Sequence, residues 1–76
     1  MRKQPSFYTW LISEKLESSS IEGQFARDAF RDEDFPKRTT SFKTVFKYLL
    51  SQRASFYCLK TFNRLWKEYK YIMKAG

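Results

Sequence analysis

Seventy-six residues make one domain near the lower end of what folds without a staple, and neither common staple is on offer: a single cysteine, Cys58, excludes an internal disulfide, and the absence of histidine removes the commonest zinc ligand. Eight Phe, five Tyr and two Trp must therefore build a dense core, while two Gly and two Pro are too few for a strand-and-turn protein. The net charge of +7 is unevenly spread, with five Lys/Arg against seven Asp/Glu in residues 1–36 and ten against one in residues 37–76, so the halves carry −2 and +9 and the second points to an anionic partner.

Met1-Arg2-Lys3-Gln4-Pro5 reads as a short basic tail (1–5) ahead of a single helical domain over 6–74. The apolar stretch that follows is broken by Ser6, Thr9 and Ser13, so it lacks a signal peptide's apolar core, and no run approaches the roughly 20 apolar residues that span a bilayer. A soluble cytoplasmic protein is the expectation, and a lone free cysteine fits a reducing compartment.

Phe7, Trp10 and Leu11 recur at helical spacing and predict a first helix from about Ser6 to Leu16, ended by Ser18-Ser19-Ser20. Ser19 and Glu22 have capping-box spacing for a second helix, whose face is read as Ile21, Phe25, Ala26, Ala29 and Phe30, with Gly23 a tolerated weakness of roughly 1 kcal/mol against Ala. Asp32-Glu33-Asp34 ends it, and Pro36 pushes Phe35 out of the helical region into a turn. Thr39, Thr40 and Ser41 are alternative caps for a third helix carrying Phe42, Val45, Phe46 and Leu49 inward and Lys43 and Lys47 outward. The clearest helix is the last, with Phe62, Leu65, Trp66, Tyr69, Ile72 and Met73 in one stripe and Arg64, Lys67, Tyr71 and Lys74 opposite. Thr61 is its expected cap, and Phe56-Tyr57-Cys58-Leu59 is read as an extra short helical turn packing onto the core. The fold class is all-α, a four-helix unit.

The familiar kinds of acid-base and nucleophilic catalysis need a group that titrates near neutrality, and histidine is absent. Cys58 lacks the histidine partner that most cysteine enzymes use and reads as a small buried hydrophobe, while two isolated glycines make no phosphate loop. Asp28, Asp32, Glu33 and Asp34 match no calcium loop and read as a solvated acidic surface pairing with Arg27, Arg31 or Lys37. No enzyme activity, cofactor or metal is therefore expected. The residues that carry a functional expectation are basic: Arg64, Lys67, Lys70 and Lys74, with Lys37, Arg38, Lys43, Lys47 and Arg53 as candidates to join them, would neutralise phosphates while Tyr71 stacks or hydrogen-bonds. Ordinary solvated faces mix Lys with Glu, whereas the outer face of this helix has Glu68 alone.

The ordered set Ser6-Phe7-Tyr8, Trp10-Leu11, Ala26, Ala29, Asp34-Phe35-Pro36-Lys37, Phe42, Tyr48-Leu49, Phe62, Trp66 and Tyr69 resembles the YozE family of small SAM-like proteins of Gram-positive bacteria, over about residues 6–72. The resemblance implies a bundle similar to the sterile alpha motif fold and transfers no catalytic residues. The matching positions are mostly aromatic and read as core. Lys37 differs, with either a functional role or a hydrogen bond to a helix-end carbonyl open to it. The last helix is often acidic in that family and is basic here, so a nucleic-acid role has to be argued for this member and is not inherited.

The leading expectation is a small non-enzymatic module that binds DNA or RNA through phosphate contacts. The alternative is an interaction adaptor that meets itself or an acidic protein surface, the acidic 28–34 region of one copy facing the basic helix of another. Membrane binding is disfavoured, because so small a domain needs the apolar stripe for its core.

Overall fold

A serine stands at the head of every helix, where its hydroxyl meets a backbone N–H that has no partner within the helix. The computed structural model describes residues 4–75, which form α1 (Phe7–Lys15), α2 (Ile21–Arg31), α3 (Phe42–Ser51) and α4 (Phe56–Ala75). The basic start Met1-Arg2-Lys3 lies outside the described residues. Ser6 accepts from the Thr9 amide at 3.1 Å, Ser20 from Gly23 at 3.4 Å, Ser41 from Thr44 at 3.4 Å and Ser55 from Cys58 at 3.1 Å.

Two of these caps depart from the sequence expectation. Ser20, not Ser19, caps α2, its hydroxyl accepting from the Gly23 amide and sharing a hydrogen bond with the Ser18 hydroxyl at 2.7 Å. α4 begins at Phe56, so Phe56 to Leu59 is its first turn rather than a separate one. Ser55 is as good a cap as Thr61, and no Gly or Pro between them breaks the helix. Thr61 lies inside α4, where its hydroxyl donates to the Tyr57 carbonyl at 2.9 Å.

Gly23 is a requirement of the fold rather than a weakness. A Cβ there would lie 1.8 Å from the Ser18 carbonyl oxygen and 2.6 Å from its carbon. That backbone cannot swing away, because the Arg27 guanidinium donates to the carbonyls of both Leu16 and Ser18, at 2.9 and 2.8 Å, closing the end of α1 against α2. Helix propensity alone would have Gly23→Ala stabilise by about 0.8–1.0 kcal/mol. The clash reverses the sign, and we expect a loss of about 1–3 kcal/mol in urea unfolding.

The core is aromatic and centres on Phe7, which is fully buried. Its ring centroid lies 4.8 Å from Trp66, 5.5 Å from Phe62, 5.5 Å from Tyr69 and 5.9 Å from Trp10, the Phe62 and Tyr69 rings meeting it edge to face. α1, α2 and α3 all pack against α4, whose buried Phe62, Leu65, Trp66 and Tyr69 form the common wall. The radius of gyration, 11.7 Å, is that of a single packed body of this length.

Two of the five residues expected on the buried face of α2 are not buried. Phe25, Ala26 and Ala29 are, but Ile21 and Phe30 are 64% and 56% exposed. At 100° per residue those two stand at opposite edges of a half-circle, and α1 and α4 cover the arc between them.

Ser6-Phe7-Tyr8 and Phe35-Pro36-Lys37 close on each other. The Ser6 hydroxyl donates to the Lys37 carbonyl at 2.7 Å, the Phe7 amide donates to the Thr39 carbonyl at 3.3 Å, the Tyr8 and Phe35 rings lie 5.7 Å apart, and the Lys37 ammonium sits 5.8 Å over the Tyr8 ring. Phe35, buried, also meets Phe25 and Tyr48 edge to face. Gln4 and Pro5 are tied to α4, because the Tyr69 hydroxyl donates to the Pro5 carbonyl at 2.6 Å and accepts from the Gln4 amide at 2.9 Å.

Candidate nucleic-acid interface

With its buried side committed to the core, α4 turns a strip of Lys60, Arg64, Lys67, Tyr71 and Lys74 outward, all of them exposed. At 1.5 Å per residue the strip is about 21 Å long. Lys60 is absent from the sequence-based set, because a helix starting at Thr61 leaves it in a loop. The Ser55 cap and the i, i+4 spacing of Phe56 and Lys60, whose ammonium sits 5.3 Å over the Phe56 ring, are the signals that place it on the strip.

The candidates do not all line one groove. Lys67, Lys70, Tyr71 and Lys74 line an open groove of about 540 Å³ together with Gln4, Trp66 and Met73, and no α3 residue lines it. Lys43 and Lys47 are exposed on α3 apart from that groove. Arg38 is exposed in the loop before α3, and Lys37 belongs to the clasp with Tyr8 and Ser6. Arg53 sits in the α3–α4 turn with φ of 57°, where its amide and that of Ala54 donate back to Leu50 and Leu49 and finish α3.

Charge compensation separates the cations further. Glu68, the one acid of α4, faces α1 and pairs with Lys15 at 3.0 Å. Arg64 lies 3.8 Å from Glu22, a half-exposed pair worth little in stability but enough to occupy the guanidinium in part. Among the described residues no carboxylate pairs with Lys60, Lys67, Lys70 or Lys74.

Asp28 and Asp32 of the acidic segment have local partners. Asp32 accepts from the Asp34 amide at 3.0 Å, shaping the turn into Phe35, and also from the Tyr48 hydroxyl. Burial, with that hydrogen bond, pushes the Tyr48 phenol up to about 12. Asp28 pairs with Arg31 at 3.8 Å, whereas Arg27, the other arginine expected to face this surface, closes α1 instead. Among the described residues no three His, Cys, Asp or Glu come together as a metal site would require. Burial and then Asp28 raise the Cys58 thiol, which keeps it protonated and a poor nucleophile at neutral pH.

Glu22 is held below its ordinary carboxylate value, first by a hydrogen bond from its own backbone amide, then by the Ser20 hydroxyl and, more weakly, by Arg64 and Lys15. A depressed folded value means that its stabilisation is present at neutral pH and is lost as pH falls through that lowered value. Thermal melts of Glu22→Gln should therefore show a smaller fall in Tm between neutral and strongly acidic pH than the parent chain shows.

A second, smaller groove of about 210 Å³ lies between α2 and the head of α4, lined chiefly by Ile21, Gln24, Phe25, Tyr57 and Cys58, with Asp28 at its edge. Ile21 and Tyr57 are 64% and 78% exposed. Among the described residues no helix is long and apolar enough to cross a membrane.

The family described as the YozE SAM-like fold matches residues 6–71. A UPF0346 protein of Streptococcus mutans is 39% identical over 70 residues, which cover 91% of this chain and 96% of the relative. UPF0346 proteins of Streptococcus equi subsp. zooepidemicus and Streptococcus thermophilus are 34% and 37% identical over the same shares. No solved structure matches the chain significantly.

Proposed function

This chain belongs to the YozE SAM-like family, and on that premise we propose that it is a small non-enzymatic binding module that contacts nucleic acid through the outer face of α4. The residues that carry the family pattern are spent on the core and on the clasp between Ser6-Phe7-Tyr8 and Phe35-Pro36-Lys37, and of them only Trp66 also lines the α4 groove, so the chain's own recognition lies chiefly outside them. One observation carries the reading: Lys67, Lys70 and Lys74 line a single groove around the exposed Tyr71 with no carboxylate paired to them among the described residues. Uncompensated cations set along a helix suit phosphates, whose condensed counterions are released on binding. The absence of histidine and the protonated Cys58 leave few groups for acid-base or covalent chemistry, and a reducing cytoplasm suits the free thiol.

Titration of labelled oligonucleotides at several salt concentrations tests this. Three or four phosphate contacts predict a log–log salt slope of about −2 to −4. Affinity that is absent at low salt, or that ignores salt, rejects the reading.

A second reading, association with another copy of the chain, is favoured by the apolar groove between α2 and α4. Its exposed Ile21 and Tyr57 lie beside Asp28, near the acidic 28–34 segment, which would meet the basic α4 strip of the next molecule head to tail. Sedimentation at rising concentration should then show self-association that weakens with salt, and a strict monomer rejects it.

A further inference from the structure

Tyr71 poses a question that phosphate binding alone does not answer. It is 74% exposed and makes none of the aromatic contacts that join Phe7, Trp10, Phe62, Trp66 and Tyr69 in the core, so packing gives no reason for an aromatic ring in the middle of a lysine strip. The groove beside it is lined by the cations Lys67, Lys70 and Lys74 together with the apolar side chains of Trp66 and Met73. Its volume of about 540 Å³ is within the range of sites that enclose a small organic group. A duplex backbone presents phosphates and sugars while its bases are stacked on one another, so it has nothing to lay on those apolar side chains or on the Tyr71 ring. An unpaired base has a free π-face, and every base has one, which makes such contacts tolerant of sequence.

We propose that this groove takes a single-stranded nucleic-acid segment, with Lys67, Lys70 and Lys74 on its phosphates and an unpaired base stacked on Tyr71. The proposal rests on the nucleic-acid reading of the same face and adds strand state and base contact to it. Phosphates supply the attraction, which is indifferent to sequence and sensitive to salt. The ring supplies discrimination between strands that offer a free base and those that do not.

The test uses the full chain and four probes of equal phosphate number, namely oligo(dT), oligo(rU), an abasic phosphodiester oligomer and a blunt duplex, followed by fluorescence anisotropy. Oligo(dT) or oligo(rU) should bind about tenfold or more tightly than the abasic strand and the duplex. Tyr71→Ala should erase that preference while leaving the salt slope in place, and Tyr71→Phe should retain it. Because Tyr71 is largely exposed, both variants should keep the helical circular dichroism of the parent.

Equal binding of all four probes, with a normal salt slope, overturns this inference and leaves the nucleic-acid reading standing. A preference that survives in Tyr71→Ala overturns the assignment of the ring. Binding to vesicles containing an anionic phospholipid, with none to any oligonucleotide, overturns both.

Discussion

Phe7→Ala should melt far below the parent protein. The ring is fully buried and lies within 6 Å of four other aromatic rings, contributed by α1 and α4. Truncation removes its own transfer free energy and leaves a cavity that those neighbours cannot fill, because each is held in turn, Tyr69 by its bond to the Pro5 carbonyl and Trp66 by Phe42 and Phe62. Phe→Ala at such a site costs about 3–5 kcal/mol. A domain of this length has only about 4–11 kcal/mol in total. At roughly 4–8 °C per kcal/mol the expected fall in Tm is at least 12 °C. Phe56→Ala is the internal control, since that ring is 69% exposed and its loss should stay within about 0.5 kcal/mol. Equal melting of the two variants would mean that Phe7 is not the hub of the core.

The contrast between these two phenylalanines also marks how far the sequence could be read. Periodicity found the buried faces of α1, α3 and α4, except that Ile72 of the expected α4 stripe is 39% exposed beyond the packed part of that helix, and it found the four-helix order, because spacing at i, i+3 and i+4 is set by the helix itself. It could not say how wide an arc the neighbours cover, and so it buried Ile21 and Phe30, which stand at the two edges of the α2 stripe. Cap chemistry found that hydroxyls start the helices but could not choose among them, since Ser19 and Ser20, or Ser55 and Thr61, are comparable as cap residues. The second choice changed the candidate interface, because starting α4 at Phe56 adds Lys60 to the basic strip. Gly23 was misread for the same reason. Propensity sees a helix interior, whereas the contact with Ser18 is visible only once Arg27 has drawn the end of α1 against α2. The charge asymmetry was plain in composition. Which cations share a groove was not, and of ten candidate residues the fold gathers Lys67, Lys70, Tyr71 and Lys74 and leaves Arg64 partly occupied by Glu22.

That sorting makes the second large prediction sharper than a simple change of charge. Lys67→Glu, Lys70→Glu and Lys74→Glu together should lower oligonucleotide affinity at low salt by at least a hundredfold and nearly abolish the salt slope, since each lost phosphate contact removes about 0.7–0.9 from it. Each reversal changes the charge by two, so the triple variant falls from +7 to +1. A matched variant with Arg38, Lys43 and Lys47 reversed has the same net charge but leaves the groove intact, because all three are exposed and none lines it. If a diffuse positive field attracts the ligand, the two variants should be equally impaired. If the groove is the site, the matched variant should keep most of its affinity and nearly all of its salt slope, losing chiefly association rate. Folding does not confound the comparison: these lysines are exposed, and placing Glu near the C-terminal end of α4 costs about 0.3–1 kcal/mol per residue through the helix dipole, well below what the core supplies. Arg64→Glu alone is expected to do less than any reversal in the groove, because its guanidinium is already shared with Glu22. An equal effect would show that recognition runs the length of the strip rather than at its C-terminal groove.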